Sequence, residues 1–213
     1  MRNAAFFAGL VAILMGPAPA LAQGKPATEQ DVALQRGAVQ AWTACIAAEK
    51  AKDVNRILSQ DFTSTSYKIG IKALAQTRVS RECFEAMPRE YRRIRLGGLP
   101  FAGGLAEHML EADNVPLLKR LSMAALGPAA VTYSRTDEVA MCMVRGAPHM
   151  VAGLFDTGIE TDEERKALAE LKPVSDICAG GAGKFDASAL GLRSILATAS
   201  YRLLAAQKVE NDA

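Results

Sequence analysis

Four cysteines, Cys45, Cys83, Cys142 and Cys178, are the residues whose type and spacing most invite chemistry, as a thiol nucleophile or as disulfides. Cys83 follows Cys45 by 38 residues and Cys178 follows Cys142 by 36, so the four form two similar intervals. An even count in an exported chain favours disulfides, and disulfides would leave no thiol free to attack a substrate. Four cysteines allow three pairings. If the two intervals are copies of one unit, the economical pairing is Cys45 with Cys83 and Cys142 with Cys178. Four buried thiols packed as small hydrophobes are the alternative.

The other reactive types are sparse. Of the two histidines, His108 stands three residues before Glu111, a pair that could share a helix face, and His149 follows Pro148 at a helix start. Zinc requires three or four ligands, so no metal site is expected. Gly180-Gly181-Ala182-Gly183-Lys184-Phe185 resembles a phosphate-binding loop. That motif, however, needs a glycine where Cys178 stands and a Ser or Thr where Phe185 stands. No Gly-x-Ser-x-Gly nucleophile elbow occurs. Asp156, Glu160, Asp162, Glu163 and Glu164 are clustered but lack the calcium-loop order, and helix capping accounts for Asp162 to Glu164. No cofactor and no catalytic residue is assigned. The basic concentration Arg89, Arg92, Arg93 and Arg95, with Tyr91 among them, is the candidate site for an anion or an acidic partner. Trp42, at an apolar helical position, reads as core.

These residues must be positioned by a chain that opens with Arg2, an apolar run from Ala4 to Met15, and Gly16-Pro17-Ala18-Pro19 before Ala20-Leu21-Ala22. That is the order of a signal peptide, residues 1–22, cleaved before Gln23. The run is too short for a membrane anchor, which needs about 20 apolar residues. Removal of 1–22 takes Arg2 alone from the charged residues, lowering a formal charge of +2 by one unit. Such a balance argues against nucleic-acid binding and against a membrane surface. The mature product is expected in the periplasm or outside the cell, given a bacterial source, with no stable membrane insertion.

Residues 23–27 form a polar lead. Thr28 is placed to cap a helix through Trp42 and Cys45 that ends near Lys50, followed by a shorter one over 53–59. A helical pattern runs over 66–87, and Gly97-Gly98 with Gly103-Gly104 suggest a flexible break before a helix at 104–112. Another piece covers 117–126. Thr136-Asp137-Glu138 should start the helix bearing Cys142, with Gly146 ending it and Pro148 opening the next. Thr161 and Glu164 make a capping box for a helix that Pro173 should close, and Asp186 should cap the last helix.

Set without a gap from Cys45 and Cys142, Val54 meets Val151, Ile57 meets Leu154 and Leu58 meets Phe155. Further on, Ala73-Leu74 falls near Ala167-Leu168, and Leu105-Ala106 has its counterpart in Leu196-Ala197. Duplication follows as the expectation, with helical repeat 1 at 28–113, a connecting helical segment at 114–135, repeat 2 at 136–206 and a tail at 207–213. The fold class expected is all-α: two related sets of helical hairpins packed as one helical domain or short solenoid. The succession of a Cys-bearing helix, a Pro-started helix, an acid-capped helix and a second Cys resembles uncharacterised exported helical proteins of bacteria over residues 28–206. The resemblance implies no activity, substrate or site residue. The functional expectation is a non-enzymatic scaffold or interaction module with a protein or cell-envelope partner. The alternatives are an envelope hydrolase with a nonstandard site and a carrier of a small apolar ligand.

Overall fold

The computed structural model describes residues 31–180 and 185–211. Among these residues all regular structure is helical, in ten α-helices and one 3-10 turn, so the fold is all-α. The signal-peptide segment 1–22, the cap expected at Thr28 and the glycine run 181–184 lie outside the described residues. No described helix is long and apolar enough to cross a membrane.

Helix α1 (Val32–Glu49) starts at Asp31, whose carboxylate accepts the Leu34 amide at 3.1 Å. After one non-helical residue, Lys50, α2 (Ala51–Leu58) begins. Ser64 caps α3 (Thr65–Ala75) and Ser80 caps α4 (Arg81–Ala86), so the pattern over 66–87 is two helices. The break falls where Thr77 turns both its amide and its hydroxyl back onto the end of α3, bonding Leu74 and Ala73 carbonyls. A 3-10 turn (Arg89–Arg92) leads to α5 (Gly98–Glu111), and α6 (Leu117–Leu126) follows. The second half runs α7 (Arg135–Gly146), α8 (Pro148–Phe155), α9 (Asp162–Ala179) and α10 (Ala189–Asn211).

Several local expectations are corrected. Ser134, not Thr136, caps α7, its hydroxyl accepting the Asp137 amide. Ser188, not Asp186, starts α10, taking the Gly191 amide on its hydroxyl and the Leu192 amide on its carbonyl. Pro173 lies inside α9 instead of ending it. A proline there forfeits one helical donor, but α9 is packed along α7 and its far end is bonded to it through Cys142–Cys178.

Gly103 and Gly104 are not a flexible break. They are buried within α5, where a Cβ on Gly103 would stand 2.5 Å from the Cα of Ser194 and one on Gly104 would stand 2.7 Å from the Thr43 hydroxyl. The missing side chains let α5 lie against α10 on one face and α1 on the other. Gly103→Ala is therefore expected to force α5 and α10 apart at a cost of about 1–3 kcal/mol, read as a lower urea midpoint. An unchanged midpoint would show that the crossing can relax.

α5 and α10 form the centre, and both halves share one core. A single cluster joins Ile46, Val54, Phe101 and Leu105 to Met143, Val151, Leu154, Leu196 and Leu203. Local structure recurs between the halves at the Cys45-to-Cys142 offset. The joint amides of Lys50 and Ala147 bond Ile46 and Met143 carbonyls, and those of Val54 and Val151 bond Lys50 and Ala147. The hydroxyls of Ser64 and Thr161 donate to Asp61 and Gly158 carbonyls and accept the amides of Tyr67 and Glu164. At this offset Leu74 falls on Leu171, both buried, which replaces the looser match to Leu168.

Candidate functional site

The disulfides are Cys45–Cys83 and Cys142–Cys178, with Cα separations of 6.0 and 5.7 Å, and no cysteine is free. Each pins two elements of its own half, α1 to α4 and α7 to α9. Thiol chemistry is thereby removed.

A groove of about 890 Å³ lies between α3, the 94–99 segment, the start of α7 and the middle of α10. Its floor and walls are Leu58, Phe62, Tyr67, Ile71, Ala75, Ile94, Leu96, Ala102 and Ile195, a mostly apolar surface. Helical spacing puts Tyr67, Ile71 and Ala75 on one face of α3, and positive φ at Gly97 and Gly98 turns the chain into α5. The volume lies in the range of small-molecule sites, which are apolar with a few fixed polar groups.

The charged groups form one cluster and one rim, and Gln60, Gln76, Ser134, Thr136 and Thr198 add neutral polar groups to the lining. At the floor the Arg202 guanidinium is buried, donates to the carboxylate of Asp137 and, at 3.1 Å, to the Val131 carbonyl. It lies 5.6 Å from the Phe62 ring centroid and 5.5 Å from that of Tyr133. Asp137 also accepts the Tyr133 amide at 2.9 Å. Burial pushes the nearby Tyr67 phenol up to about 12, with the positive charge of Arg202 acting in the opposite sense. Tyr67 is thus a neutral hydroxyl in the groove at any physiological pH. At the rim stand Lys68, Lys72 and Arg95, all exposed.

A second polar cluster is buried except at Glu160, its exposed end, and lines neither the groove nor the smaller cavity beside Arg93. Arg193, buried on α10, grips Glu107 of α5 with Nη2 at 2.5 Å and Nε at 3.0 Å, reaches Glu164 of α9 at 3.0 Å and donates to the Thr157 carbonyl. Glu164 is held on its other side by Arg36 at 2.6 and 2.9 Å, and Arg36 also donates to Glu160 at 2.6 Å. Burial would raise the Glu164 carboxyl, but hydrogen bonds from Arg36 and the Glu160 amide, with the charges of Arg36 and Arg193, hold it below the usual range. Capping therefore explains only the amide of Glu164, which bonds Thr161, and its side chain is a core ion. Five charged groups from four helices and one loop are locked together, an arrangement that orients elements rather than binding a ligand.

The four arginines of the sequence cluster separate. Arg92 points inward, donating to the Met87 and Glu85 carbonyls and lying 5.0 Å over the Phe84 ring, so it fastens the end of α4. Trp42 supports the same corner, its indole donating to the Tyr91 carbonyl at 2.8 Å. Arg89 is exposed on the 3-10 turn. Arg93 and Arg95 line a smaller cavity of about 450 Å³, and Arg95 also reaches the large groove. His149 is exposed. His108 bridges Glu111 and the Gln40 carbonyl, both at 3.1 Å. Burial opposes its protonation, but the Glu111 hydrogen bond and charge outweigh this and raise its pKa. Among the described residues no group of three or more His, Cys, Asp or Glu could hold a metal ion.

The signal that sequence reasoning missed was in phase: Arg36, Glu107 and Arg193 occupy buried positions of their helices, where a charge needs a partner. Comparison of the chain with family models, with curated proteins and with solved structures found no match.

Proposed function

We propose that this is an exported binding protein that carries a small, largely apolar molecule in the groove between α3, α7 and α10. The observation that carries this reading is the groove itself: about 890 Å³, with a mostly apolar surface, the buried Arg202–Asp137 pair and the exposed Lys68, Lys72 and Arg95 as its charged groups. The order of residues 1–22 and the two disulfides support export. The recurrence of hydrogen bonds and buried positions at one offset supports an origin by duplication, with the groove formed where the halves differ: α3 stands separate from α4, whereas α9 is one continuous helix.

A neutral naphthalene dye that fluoresces in apolar surroundings tests the reading on the mature, oxidised protein. It should bind saturably at one site, and Ala75→Trp, which fills the groove from α3, should abolish that signal while helix content and melting temperature stay near the parent's. Dye binding that is absent, or indifferent to Ala75→Trp, would end the carrier reading. A partner-binding scaffold is the second reading, supported by the exposure of Leu118, Met123 and Leu126 on α6.

A further inference from the structure

Resting on the carrier reading, we infer that the ligand is a single-chain anionic amphiphile, its tail in the groove and its acidic head against Lys68, Lys72 and Arg95. Three observations converge on this chemistry. First, the charges lining the groove are unbalanced: Lys68, Lys72, Arg95 and Arg202 face one carboxylate, Asp137, which is already bound by Arg202 and the Tyr133 amide. The floor is therefore neutralised internally, and the uncompensated charge sits at the mouth.

Second, among the described residues Lys68 and Lys72 belong, with Lys52 and Lys119, to the exposed helical cations that no carboxylate neutralises, whereas six others are paired along their own helix. Arg56, Arg81, Arg135, Arg165, Lys166 and Lys172 each pair with a carboxylate three or four residues away. Lys68 and Lys72 instead face each other at i and i+4 on α3, a like-charge spacing that disfavours the helix slightly, and neither forms an ion pair among the described residues. Asp61, which acts on Lys68 electrostatically, is itself held by the amide and hydroxyl of Thr63, both at 2.7 Å. A bound anion would remove the repulsion.

Third, the groove's chemistry is graded. Ile71 is buried and Ala75 and Leu96 are half-buried, whereas Lys68, Lys72 and Arg95 are exposed, a layout that matches a molecule with one charged end. Its volume suits one chain of drug-like size better than the two chains of a membrane phospholipid.

Titration calorimetry with decanoate, decanol and decyltrimethylammonium, which share a tail and differ in head, tests the inference on the oxidised mature protein. Decanoate should bind tightest and the trimethylammonium weakest, with only the decanoate affinity falling as salt rises. The double variant K68Q/K72Q should weaken decanoate about tenfold and leave decanol unchanged. Equal affinity for all three heads, or decanoate binding indifferent to K68Q/K72Q, would overturn the anionic assignment while the carrier reading stands. Failure of all three to bind, together with loss of the neutral dye signal, would overturn both. Binding to phosphatidylglycerol vesicles without any response to free decanoate would also overturn it, in favour of a membrane surface.

Discussion

Arg193→Met is expected to destabilise the protein by about 3–5 kcal/mol, and adding Glu107→Leu to the same chain to recover most of that loss. Arg193 supplies the hydrogen bonds to Glu107, a residue 4 % exposed. Without the guanidinium, a buried carboxylate is left with no counter-charge, and the cost is its desolvation rather than lost packing, since methionine fills much of the same space. Removing the carboxylate as well makes the α5–α10 contact apolar, while Glu164, which also loses Arg193, keeps its two hydrogen bonds from Arg36. Urea midpoints at constant slope would measure both effects. A double variant as unstable as the single one would mean that shape, not charge, dominates there. The same cluster contributes to the acid side of the stability curve. Because the folded Glu164 carboxyl lies below its ordinary value, its contribution is fully present above the unfolded value of about 4.3 and is lost as pH falls through the lower folded one.

Reduction of both disulfides should have the other large effect. Each closes a loop of nearly forty residues, with separations of 38 and 36, and chain entropy assigns such a loop about 4 kcal/mol. A marked fall in melting temperature is expected on reduction, with helix content retained below it because α5, α7 and α10 pack through their own apolar faces. Replacing Cys45 and Cys83 by alanine should account for roughly half of the effect. A melting temperature unmoved by reductant would show that the bridges contribute no net stability.

What was legible in the sequence follows from what period and spacing encode. The cysteine pairing came from two similar intervals, and α1, α6, α8 and the end of α7 from apolar periodicity with their punctuating Lys50, Gly146 and Pro148. Local rules failed where tertiary contact overrode them. Gly103-Gly104 reads as a break in isolation, yet the close approach of Ser194 and Thr43 requires the absence of side chains inside a helix. Pro173 reads as a stop, yet packing and a disulfide carry α9 past it. The charged core was invisible for a related reason. Arg36, Glu107, Glu164 and Arg193 look like solvated helix surface one helix at a time, and only their mutual placement makes burial tolerable. The groove could not be read at all, because its walls come from segments near residues 67, 96, 137 and 198, and no local pattern joins them.

The two disulfides also set where the folded chain can be stretched. Tension applied between its ends would cross from Cys45 to Cys83 and from Cys142 to Cys178 through sulfur, so the residues inside each loop would bear none of it. Helices α2 and α3 lie wholly within the first shunt, and α8 with most of α9 within the second. The load would fall on α1, α5, α6, α7 and α10. A tethered molecule would thus yield first along the seam between its halves, peeling α10 from α5 and opening the groove, while the wall carrying Tyr67, Lys68 and Lys72 stayed slack.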